Sequence, residues 1–321
     1  MGFKVLIPQE ISQVGKNYLL ERGYEIKMGS GITEKEIMKD VEDCDAILAR
    51  TASFTADVIK NGKKLKVIGR HGVGVDNIDI KVAEELGVWV TNAPESNANS
   101  VAEHTLGLII ACARNLVRSD KAFRNGDFEI RNKLNGSDLE GKTLGLLGVG
   151  RIGTMVAKKA AFGLGMKVIG YDPFLTKDKV IPEIELSSKW EYVLENADFI
   201  SVHMPATPNT KGIIGKKEFK MMKSTAYFIN CARGEVVNEA ELIEALQTNE
   251  IEGAGLDVFS QEPPARDNPL FQLENVIVSP HNAALTKEAT TRMALHAAMG
   301  IDEVLSGKSP KWPVNNPKTK I

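Results

Sequence analysis

The sequence is poor in cysteine and has no obvious metal-binding pattern. Its 321 residues include three cysteines, Cys44, Cys112 and Cys231, without CxxC spacing. An odd, unpaired set of this kind fits a reducing compartment, so we predict a cytoplasmic protein without a disulfide or zinc framework. No set of His, Asp and Glu residues has the spacing of metal ligands, and no metal is predicted.

A surplus of one charge and long apolar runs are also missing. Lys and Arg number 40 against 42 Asp and Glu, a formal net charge of −2. Proteins that hold nucleic acid need a basic surplus to neutralise phosphates, so we expect no nucleic-acid partner. No apolar run approaches the roughly 18 residues that span a bilayer, so we expect no membrane partner. The opening residues MGFKVLIPQE carry a short apolar run, which we interpret as a first strand.

The composition, with 43% hydrophobic and 26% charged residues, is ordinary for a soluble globular protein. The length favours two domains, at about 150 residues each. In the first part of the chain, short apolar runs predict strands at 4–7, 46–49, 66–69 and 88–91. Amphipathic segments between them predict helices at 10–22, 33–41, 55–61 and 80–86. Strands that alternate with helices indicate a parallel sheet with crossover connections.

A second series of the same kind begins near residue 144. Its predicted strands are 143–148, 167–171, 198–202, 226–230, 251–256 and 276–279, and its helices are 151–163, 189–195, 216–222 and 238–248. A long helical stretch over 99–125 joins the two series, and a helix near 286–306 follows the second. The predicted fold is therefore two doubly wound parallel-sheet units.

A glycine-rich turn predicts a dinucleotide site at the start of the second series. Gly148, Gly150 and Gly153 fit G-x-G-x-x-G, with Arg151 and Ile152 inside the motif. The motif follows a strand, opens a helix, and is followed 19 residues later by Asp172 at the end of the next strand. Such glycines permit a tight turn and close approach of a pyrophosphate, which the helix N-terminus attracts. The alternative is a structural turn followed by a surface aspartate.

Asp172 also predicts the coenzyme. Its carboxylate would accept hydrogen bonds from both adenosine ribose hydroxyls and would repel a 2′-phosphate. The following Pro173-Phe174-Leu175 supply no arginine to receive that phosphate. We therefore predict NAD as the cofactor.

Several further segments carry a resemblance to a known family. They are HGVGVDNID (71–79), NAPESNANSVAEH (92–104), LLGVGRIG (146–153), NCARGEVVNEAEL (230–242), GLDVFSQEPP (255–264) and VSPHN (278–282). With these segments the chain resembles the D-isomer-specific 2-hydroxyacid dehydrogenases over nearly its whole length. Within that family it is most similar to the short D-3-phosphoglycerate dehydrogenases.

The resemblance implies how the two units divide the chain. Residues 1–98 and 286–321 would form a flavodoxin-like substrate domain, and a Rossmann-type NAD-binding domain, 99–285, would be inserted between them. Members of the family usually form homodimers or homotetramers through the nucleotide domain, with residues 100–140 at the interface. Arg131 or Lys133 of a neighbouring subunit would then add positive charge around the substrate.

The resemblance also implies a catalytic set of Arg233, Glu262 and His281. Arg233 follows a predicted strand, and a guanidinium can grip a carboxylate with two parallel hydrogen bonds. An imidazole such as that of His281 serves as acid and base near neutral pH. Glu262 would orient that ring and favour the protonated form that reduction requires. Taken singly, each residue also suits a structural role at a strand end or in a loop.

Other positions match cofactor and substrate contacts of the family. Asp257 would accept from the nicotinamide carboxamide, and the remaining cofactor contacts would be Met204, Cys231, Ala232 and Ala283. We interpret His203 as a residue of the packing or of the cofactor-loop structure, and His104 and His296 as structural residues of helices.

The substrate contacts would be Arg50, Arg70, Val73 and Gly74. Backbone N–H groups of the Gly-rich turn 71–74 can hold a carboxylate, and two extra arginines suit a second anionic group such as phosphate. The alternatives are a turn needed only by the chain path and two solvated surface arginines.

The function predicted from the sequence is an NAD-dependent oxidoreductase acting on a small anionic 2-hydroxy acid or 2-keto acid. The best guess for the substrate pair is 3-phosphoglycerate and phosphohydroxypyruvate, and hydroxypyruvate, glyoxylate or another 2-keto acid is the alternative. Family members often carry Gly-Gly where this chain has Ala283-Ala284, which leaves substrate preference open. A non-catalytic NAD-sensing protein is the alternative of another class, and the intact Arg/Glu/His set argues against it. Glu262 argues against a formate dehydrogenase.

Overall fold

The computed structural model describes residues 2–318, so Met1 and residues 319–321 of the predicted substrate domain lie outside the described residues. The strands in chain order are β1 (Lys4–Ile7), β2 (Glu25–Met28), β3 (Ala46–Ala49), β4 (Val67–Arg70), β5 (Trp89–Thr91), β6 (Thr143–Leu147), β7 (Lys167–Tyr171), β8 (Ile184–Ser187), β9 (Phe199–Val202), β10 (Tyr227–Asn230), β11 (Gly253–Leu256) and β12 (Val276–Val278). The α-helices are α1 (Gln13–Leu20), α2 (Glu34–Val41), α3 (Ala56–Asn61), α4 (Ile80–Glu85), α5 (Ala98–Ala113), α6 (Leu116–Arg124), α7 (Arg151–Leu164), α8 (Trp190–Asn196), α9 (Lys216–Met221), α10 (Glu239–Gln247) and α11 (Lys287–Leu305).

Residue contacts divide the chain into two units. One runs up to Asn97 and resumes at Leu285, and the other is Ala98–Ala284. The second unit is thus an insertion in the first along the chain. The roles of the two units stay a prediction.

The first unit contains a five-stranded parallel sheet in the order β2-β1-β3-β4-β5. This is the flavodoxin-like order, in which the chain reverses direction across the sheet beside β1. Both faces are covered, because alternate side chains of β1 enter two different clusters. Val5 and Ile7 pack with Ala297 and Ile301 of α11, whereas Leu6 packs with Phe54.

The second unit contains a seven-stranded parallel sheet in the order β12-β11-β10-β9-β6-β7-β8. The order reverses between β6 and β9, which is the Rossmann arrangement with one strand added at the edge. Here too the sheet separates two clusters, with Leu144 and Leu146 on one face and Leu147 on the other. The predicted fold class, two doubly wound parallel sheets, is confirmed.

The structure corrects the sequence-based elements in two respects. Strands β2 and β8 were missed because their residues, EIKM and IELS, alternate apolar with charged or polar side chains at the sheet edges. The predicted single helical stretch 99–125 is wrong, since the chain forms α5 and α6 with a break between them. Asn115 adopts a left-handed backbone at φ 51°, which an α-helix does not accommodate.

The segment after α11 is tied to the edge of the first sheet. The Asn315 side chain accepts from the Val90 amide at 2.8 Å and donates to the Val88 carbonyl at 2.9 Å. The Val314 amide donates to the Val90 carbonyl at 2.8 Å. These bonds satisfy backbone groups of β5 and of Val88 just before it, on the side where the sheet has no further strand.

We expect Asn315→Ala to destabilise the first unit, because it leaves two backbone groups buried without these partners. The cost is about 1 to 3 kcal/mol for each unsatisfied group. Urea unfolding followed by circular dichroism would measure the loss. Asn316→Ala is the matched control, since Asn316 is exposed. Equal unfolding free energies for the two variants would contradict this account of the tail.

Candidate active site

The Gly-rich turn connects β6 to α7 and leaves space where a ligand would approach. Gly148 has φ +100°, and a Cβ there would come within 2.7 Å of the His203 carbonyl oxygen. A Cβ on Gly153 would overlap the carbonyl oxygen of Gly148. A Cβ on Gly150, by contrast, would meet nothing within 4 Å. Two of the glycines therefore serve packing and backbone conformation, and the third faces open space.

The N-terminus of α7 points its amides into that space. The Thr154 amide makes the first helical hydrogen bond, to the Gly150 carbonyl at 2.9 Å. The amides of Ile152 and Gly153 therefore have no acceptor within the helix, and the helix dipole adds partial positive charge at this end. Arg151 is exposed at the first helical position. An anionic group fits this end of the helix.

Asp172 follows β7 and is bound to the same turn. Its Oδ2 accepts from the Val149 amide at 3.0 Å, and its Oδ1 accepts from the Phe174 amide at 3.0 Å. Each oxygen keeps acceptor capacity for a further hydrogen bond. A carboxylate beside a helix N-terminus matches a nucleotide with a ribose and a pyrophosphate, so these residues fit a dinucleotide.

His281 and Glu262 form a hydrogen-bonded pair in the segments that follow β12 and β11, at the carboxyl ends of the strands of the same sheet. His281 Nδ1 lies 2.6 Å from Glu262 Oε2, and Glu262 Oε1 accepts from the Phe259 amide at 3.1 Å. Burial would raise the pKa of Glu262, but the hydrogen bond and charge of His281, the Phe259 amide and the Arg233 charge together hold it below its usual value. The carboxylate is therefore ionised at neutral pH and orients the ring, which leaves Nε2 for proton transfer.

The turn that carries His281 has an uncommon backbone conformation. His281 has φ +49°, a left-handed value that few residues other than glycine adopt. Its amide donates to the Asp257 carbonyl at 2.8 Å. The Asp257 carboxylate accepts from the amides of Asn282 and Ala283, each at 2.9 Å. Asp257, which is 1% exposed, therefore holds this turn in place from the protein interior.

The turn after β10 carries Arg233. Asn230 shapes it, because its side chain accepts from the Ala232 amide and donates to the Arg233 carbonyl, both at 3.0 Å. The Arg233 guanidinium donates to the Ala232 carbonyl at 2.7 Å. A Cβ on Gly234 would overlap the carbonyl of Phe259, so this turn lies directly against the loop that leads to Glu262.

Sequence reasoning missed Asn230 and Gly234 as parts of the site. The position of Asn230 in NCARG offered a signal, since asparagine side chains often bond to backbone two or three residues ahead. The contact of Gly234 with Phe259 joins segments 25 residues apart and had no local signal.

The remaining cofactor candidates line the strand ends of the second unit. Cys231 is buried, and burial raises the pKa of its thiol to about 12, so the thiol stays protonated. Ala283 is buried and Met204 packs against the core. Burial lowers the pKa of His203 to about 4, and its ring bonds to the Ser201 hydroxyl at 2.9 Å. His203 is thus a neutral packing residue beneath the Gly-rich turn.

The substrate candidates lie in the first unit. Arg50 follows β3 and Arg70 ends β4, and these strands pair so that Ala49 lies opposite Arg70. Arg50 donates to the Glu10 carbonyl at 3.1 Å, and Arg70 donates to the His71 carbonyl. The two arginines therefore emerge at the carboxyl ends of neighbouring strands, where open α/β sheets bind ligands.

The turn after β4 holds Val73 and Gly74. Gly72 has φ +141°, which few residues other than glycine adopt, and its carbonyl accepts from the Ala93 amide at 2.8 Å. The Asn92 side chain donates to the Val73 carbonyl at 2.8 Å. With both carbonyls bound to the chain that follows β5, the turn is fixed in place beside Arg70.

Two classes of site are not found in the part of the chain that the structure describes. Between residues 2 and 318, no group of three or more His, Cys, Asp and Glu side chains is arranged to hold a metal ion. Over the same residues, no helix combines the length and apolar character needed to cross a membrane.

Fold and site together define a dinucleotide-binding protein with a hydrogen-bonded His–Glu pair and an arginine at the strand ends of its Rossmann-type unit. The family model for the D-isomer specific 2-hydroxyacid dehydrogenase, NAD binding domain, matches residues 106–283. The chain belongs to this family.

Individual relatives agree with that assignment. The chain is 42% identical over 316 residues to a protein of Methanocaldococcus jannaschii named D-3-phosphoglycerate dehydrogenase, a match that covers 98% of this chain and 60% of the relative. It superimposes with a TM-score of 0.80 on D-lactate dehydrogenase with NAD+ from Lactobacillus jensenii, at 31% identity over 98% of this chain and all of the other. The TM-score is 0.87 for an NADPH-dependent glyoxylate/hydroxypyruvate reductase from Sinorhizobium meliloti, at 25% identity over 97% of each chain.

The environment of His71 predicts a pH dependence of stability. Burial, together with the charges of Arg50 and Arg70, lowers the pKa of His71 to about 4, although carbonyls of His71 and Thr290 act in the opposite direction. Between the ordinary histidine pKa near 6.5 and the value near 4, the unfolded chain binds a proton that the folded ring does not. The unfolding free energy should therefore fall on acidification through this window, by about 1.4 kcal/mol per pH unit for this group.

Replacing His71 by Gln should make that slope shallower, because the side chain no longer binds a proton in either state. Urea unfolding of the wild type and of His71→Gln at several pH values between 7 and 4.5 measures the difference. Some slope will remain, since His203 acts in the same direction. Parallel stability curves would show that His71 is not the group responsible.

Proposed function

We propose that this chain is an NAD-dependent oxidoreductase that interconverts a D-2-hydroxy acid and the corresponding 2-keto acid. The observation that carries the proposal is the hydrogen bond between His281 Nδ1 and Glu262 Oε2 at 2.6 Å. The loop that leads to Glu262 packs against the turn of Arg233. Membership of the D-isomer specific 2-hydroxyacid dehydrogenase family supports it. The chain spans about 60% of the length of the curated relatives it matches.

The roles of the three side chains follow from their chemistry. When bound, NAD(H) exchanges a hydride with C2 of the substrate. Arg233 binds the substrate carboxylate and polarises the adjacent carbonyl, for which a guanidinium has suitable geometry. His281 donates a proton from Nε2 to the carbonyl oxygen in the direction of reduction and accepts it from the hydroxyl in the direction of oxidation. Glu262, ionised, stabilises the imidazolium that precedes proton donation.

For the cofactor we propose the following contacts. The pyrophosphate would lie at Gly150, Arg151, Ile152 and Gly153, and the adenosine ribose would bind Asp172. The relative from Sinorhizobium meliloti is described as NADPH-dependent. In this chain the carboxylate of Asp172, next to Pro173 and Phe174, supports NAD instead, since a 2′-phosphate would meet like charge. Met204, Cys231, Ala232, Asp257 and Ala283 complete the proposed cofactor contacts.

For the substrate we propose 3-phosphoglycerate and phosphohydroxypyruvate. Arg50 and Arg70 supply two cations at neighbouring strand ends, and the Val73 and Gly74 amides suit a carboxylate. A phosphorylated three-carbon acid carries two anionic groups, which matches two sets of donors. The name of the Methanocaldococcus jannaschii relative supports the same substrate. Hydroxypyruvate or glyoxylate is the second candidate, favoured by the name of the Sinorhizobium meliloti relative.

We also propose that the chain forms a homodimer or homotetramer through its nucleotide-binding unit. Helix α6 has no buried residue, and four large apolar side chains in and beside it are about half exposed: Leu116, Val117, Phe123 and Phe128. Phe123 and Phe128 lie with ring centroids 5.9 Å apart, and the Arg131 guanidinium lies over the Phe128 ring. A second copy that covers this surface would remove these side chains from water.

A cytoplasmic location is part of the same proposal. All three cysteines are buried free thiols, outside any disulfide, as in proteins of reducing compartments.

The acid/base assignment predicts the effect of replacing His281. His281→Ala should lower kcat for reduction of 2-keto acids by about 10² to 10⁴, the range for loss of a general acid. NADH binding, measured by fluorescence titration, should persist, because the Gly-rich turn and Asp172 are untouched. Gln261→Ala, an exposed neighbour of Glu262, serves as control.

Two outcomes would contradict the proposal in different ways. Activity within a few-fold of wild type in His281→Ala would remove His281 as the acid/base. A wild-type protein that binds NADH but reduces no 2-keto acid would favour the NAD-sensing alternative.

The substrate proposal predicts a selective effect at Arg50. Arg50→Ala should raise KM for phosphohydroxypyruvate much more than KM for glyoxylate, because only the former carries the extra phosphate. Lys64→Ala removes an exposed cation elsewhere in the same unit and is the control. NADH oxidation across both substrates and hydroxypyruvate measures the effect. Equal changes in KM for both acids would exclude a phosphate contact at Arg50.

A further inference from the structure

Helix α5 contacts the His281 turn through one side chain that the proposed mechanism does not use. His104 Nε2 lies 2.9 Å from the Ser279 hydroxyl and 3.6 Å from Asp257 Oδ1. The two partners are 175 and 153 positions further along the chain. Ala102 and Thr105, which flank His104 on α5, are fully buried, so the backbone that carries His104 is held in place.

The hydrogen bonds that link His104, Ser279 and Asp257 can be assigned a donor and an acceptor at each step. Ser279 has a single hydroxyl hydrogen, and it points to the Asp257 carboxylate, whose Oδ1 lies 2.6 Å away. The Ser279 oxygen is then an acceptor toward His104, so His104 must carry a hydrogen on Nε2. The same hydrogen faces the Asp257 carboxylate, which favours this tautomer further.

Asp257 connects these hydrogen bonds to the turn of His281. Its backbone carbonyl receives the His281 amide, and its carboxylate receives the amides of Asn282 and Ala283. The left-handed backbone of His281 costs free energy and persists only where surrounding contacts determine it. The hydrogen bonds of the Asp257 carboxylate are among those contacts. Ser279 and His104, which approach the carboxylate from α5 and its neighbourhood, hold it in the orientation that these bonds need.

We propose that His104 is a positioning residue, which acts through Ser279 and Asp257 to hold the turn of His281 in its reactive geometry. The inference rests on the proposed oxidoreductase function and adds a residue to it. His104 acts on His281 through two intermediates and moves no proton in the reaction. Its loss should therefore change the rate of the chemical step more than the binding of either substrate.

Enzyme kinetics of His104→Ala and His104→Gln test this role. For His104→Ala, kcat for 2-keto acid reduction should fall by about tenfold or more, because small displacements of a catalytic group are costly, while KM for the 2-keto acid and the Kd for NADH stay within about twofold. The Gln side chain also carries an N–H donor at similar reach, so His104→Gln should recover most of kcat. Glu103→Gln, an exposed neighbour on the same helix, is the control and should match the wild type.

The double variant tests whether His104 and Ser279 act along one path. If they do, His104→Ala/Ser279→Ala should lower kcat no further than the more severe single variant. Multiplicative losses would show two independent effects and overturn the proposed path. An unchanged kcat in His104→Ala, or a Gln variant as slow as the Ala variant, would overturn the positioning role itself.

Hydrogen exchange gives a readout that needs no activity. In His104→Ala, the amides of His281, Asn282 and Ala283 should exchange faster than in the wild type, and in His104→Gln they should exchange at nearly the wild-type rate. Unchanged exchange in the Ala variant would reject the inference. If the wild type reduces no 2-keto acid, the proposed function fails, and the exchange experiment alone decides whether His104 holds the turn.

Discussion

The site depends on a buried carboxylate that determines a backbone conformation. Asp257 accepts the Ser279 hydroxyl and the amides of Asn282 and Ala283, while its carbonyl accepts the His281 amide. A buried charge is stable when hydrogen bonds replace its hydration, and these donors do so. The same bonds compensate for the left-handed backbone at His281. The same hydrogen bonds therefore stabilise the buried Asp257 carboxylate and orient the His281 imidazole.

Parallel sheets explain why the separate segments of the site can meet. Every β-strand of the second unit ends at the same edge of its sheet, so the turns after β6, β7, β10, β11 and β12 gather there. Those turns carry the Gly-rich motif, Asp172, Arg233, Asp257 and His281. Gly234, pressed against Phe259, brings two of these turns close together. Topology sets the neighbourhood, and individual glycine and asparagine residues set the distances within it.

The sequence was informative where a constraint is local and weak where it is not. The Gly-rich motif and Asp172 lie within one βαβ segment, so spacing alone predicted them. Buried strands were predictable from apolar runs, but the edge strands β2 and β8 alternate apolar with charged or polar side chains and had no such run. The contact of His104 with Ser279 joins residues 175 positions apart, so no local pattern indicated it. From the sequence, the helical context of His104 favoured a purely structural role.

The cost of the acid/base pair bears on the choice between an enzyme and an NAD-sensing protein. The Gly-rich turn, the end of α7 and Asp172 are sufficient for a protein that only binds the nucleotide. Glu262 is partly buried, and its ionised state is held by His281 and a backbone amide. Neither that pair nor the left-handed turn of His281 contributes to phosphate or ribose binding. Nucleotide binding alone does not require an arrangement that costs this much free energy, whereas a proton-transfer step requires an oriented imidazole. The arrangement itself therefore favours catalysis.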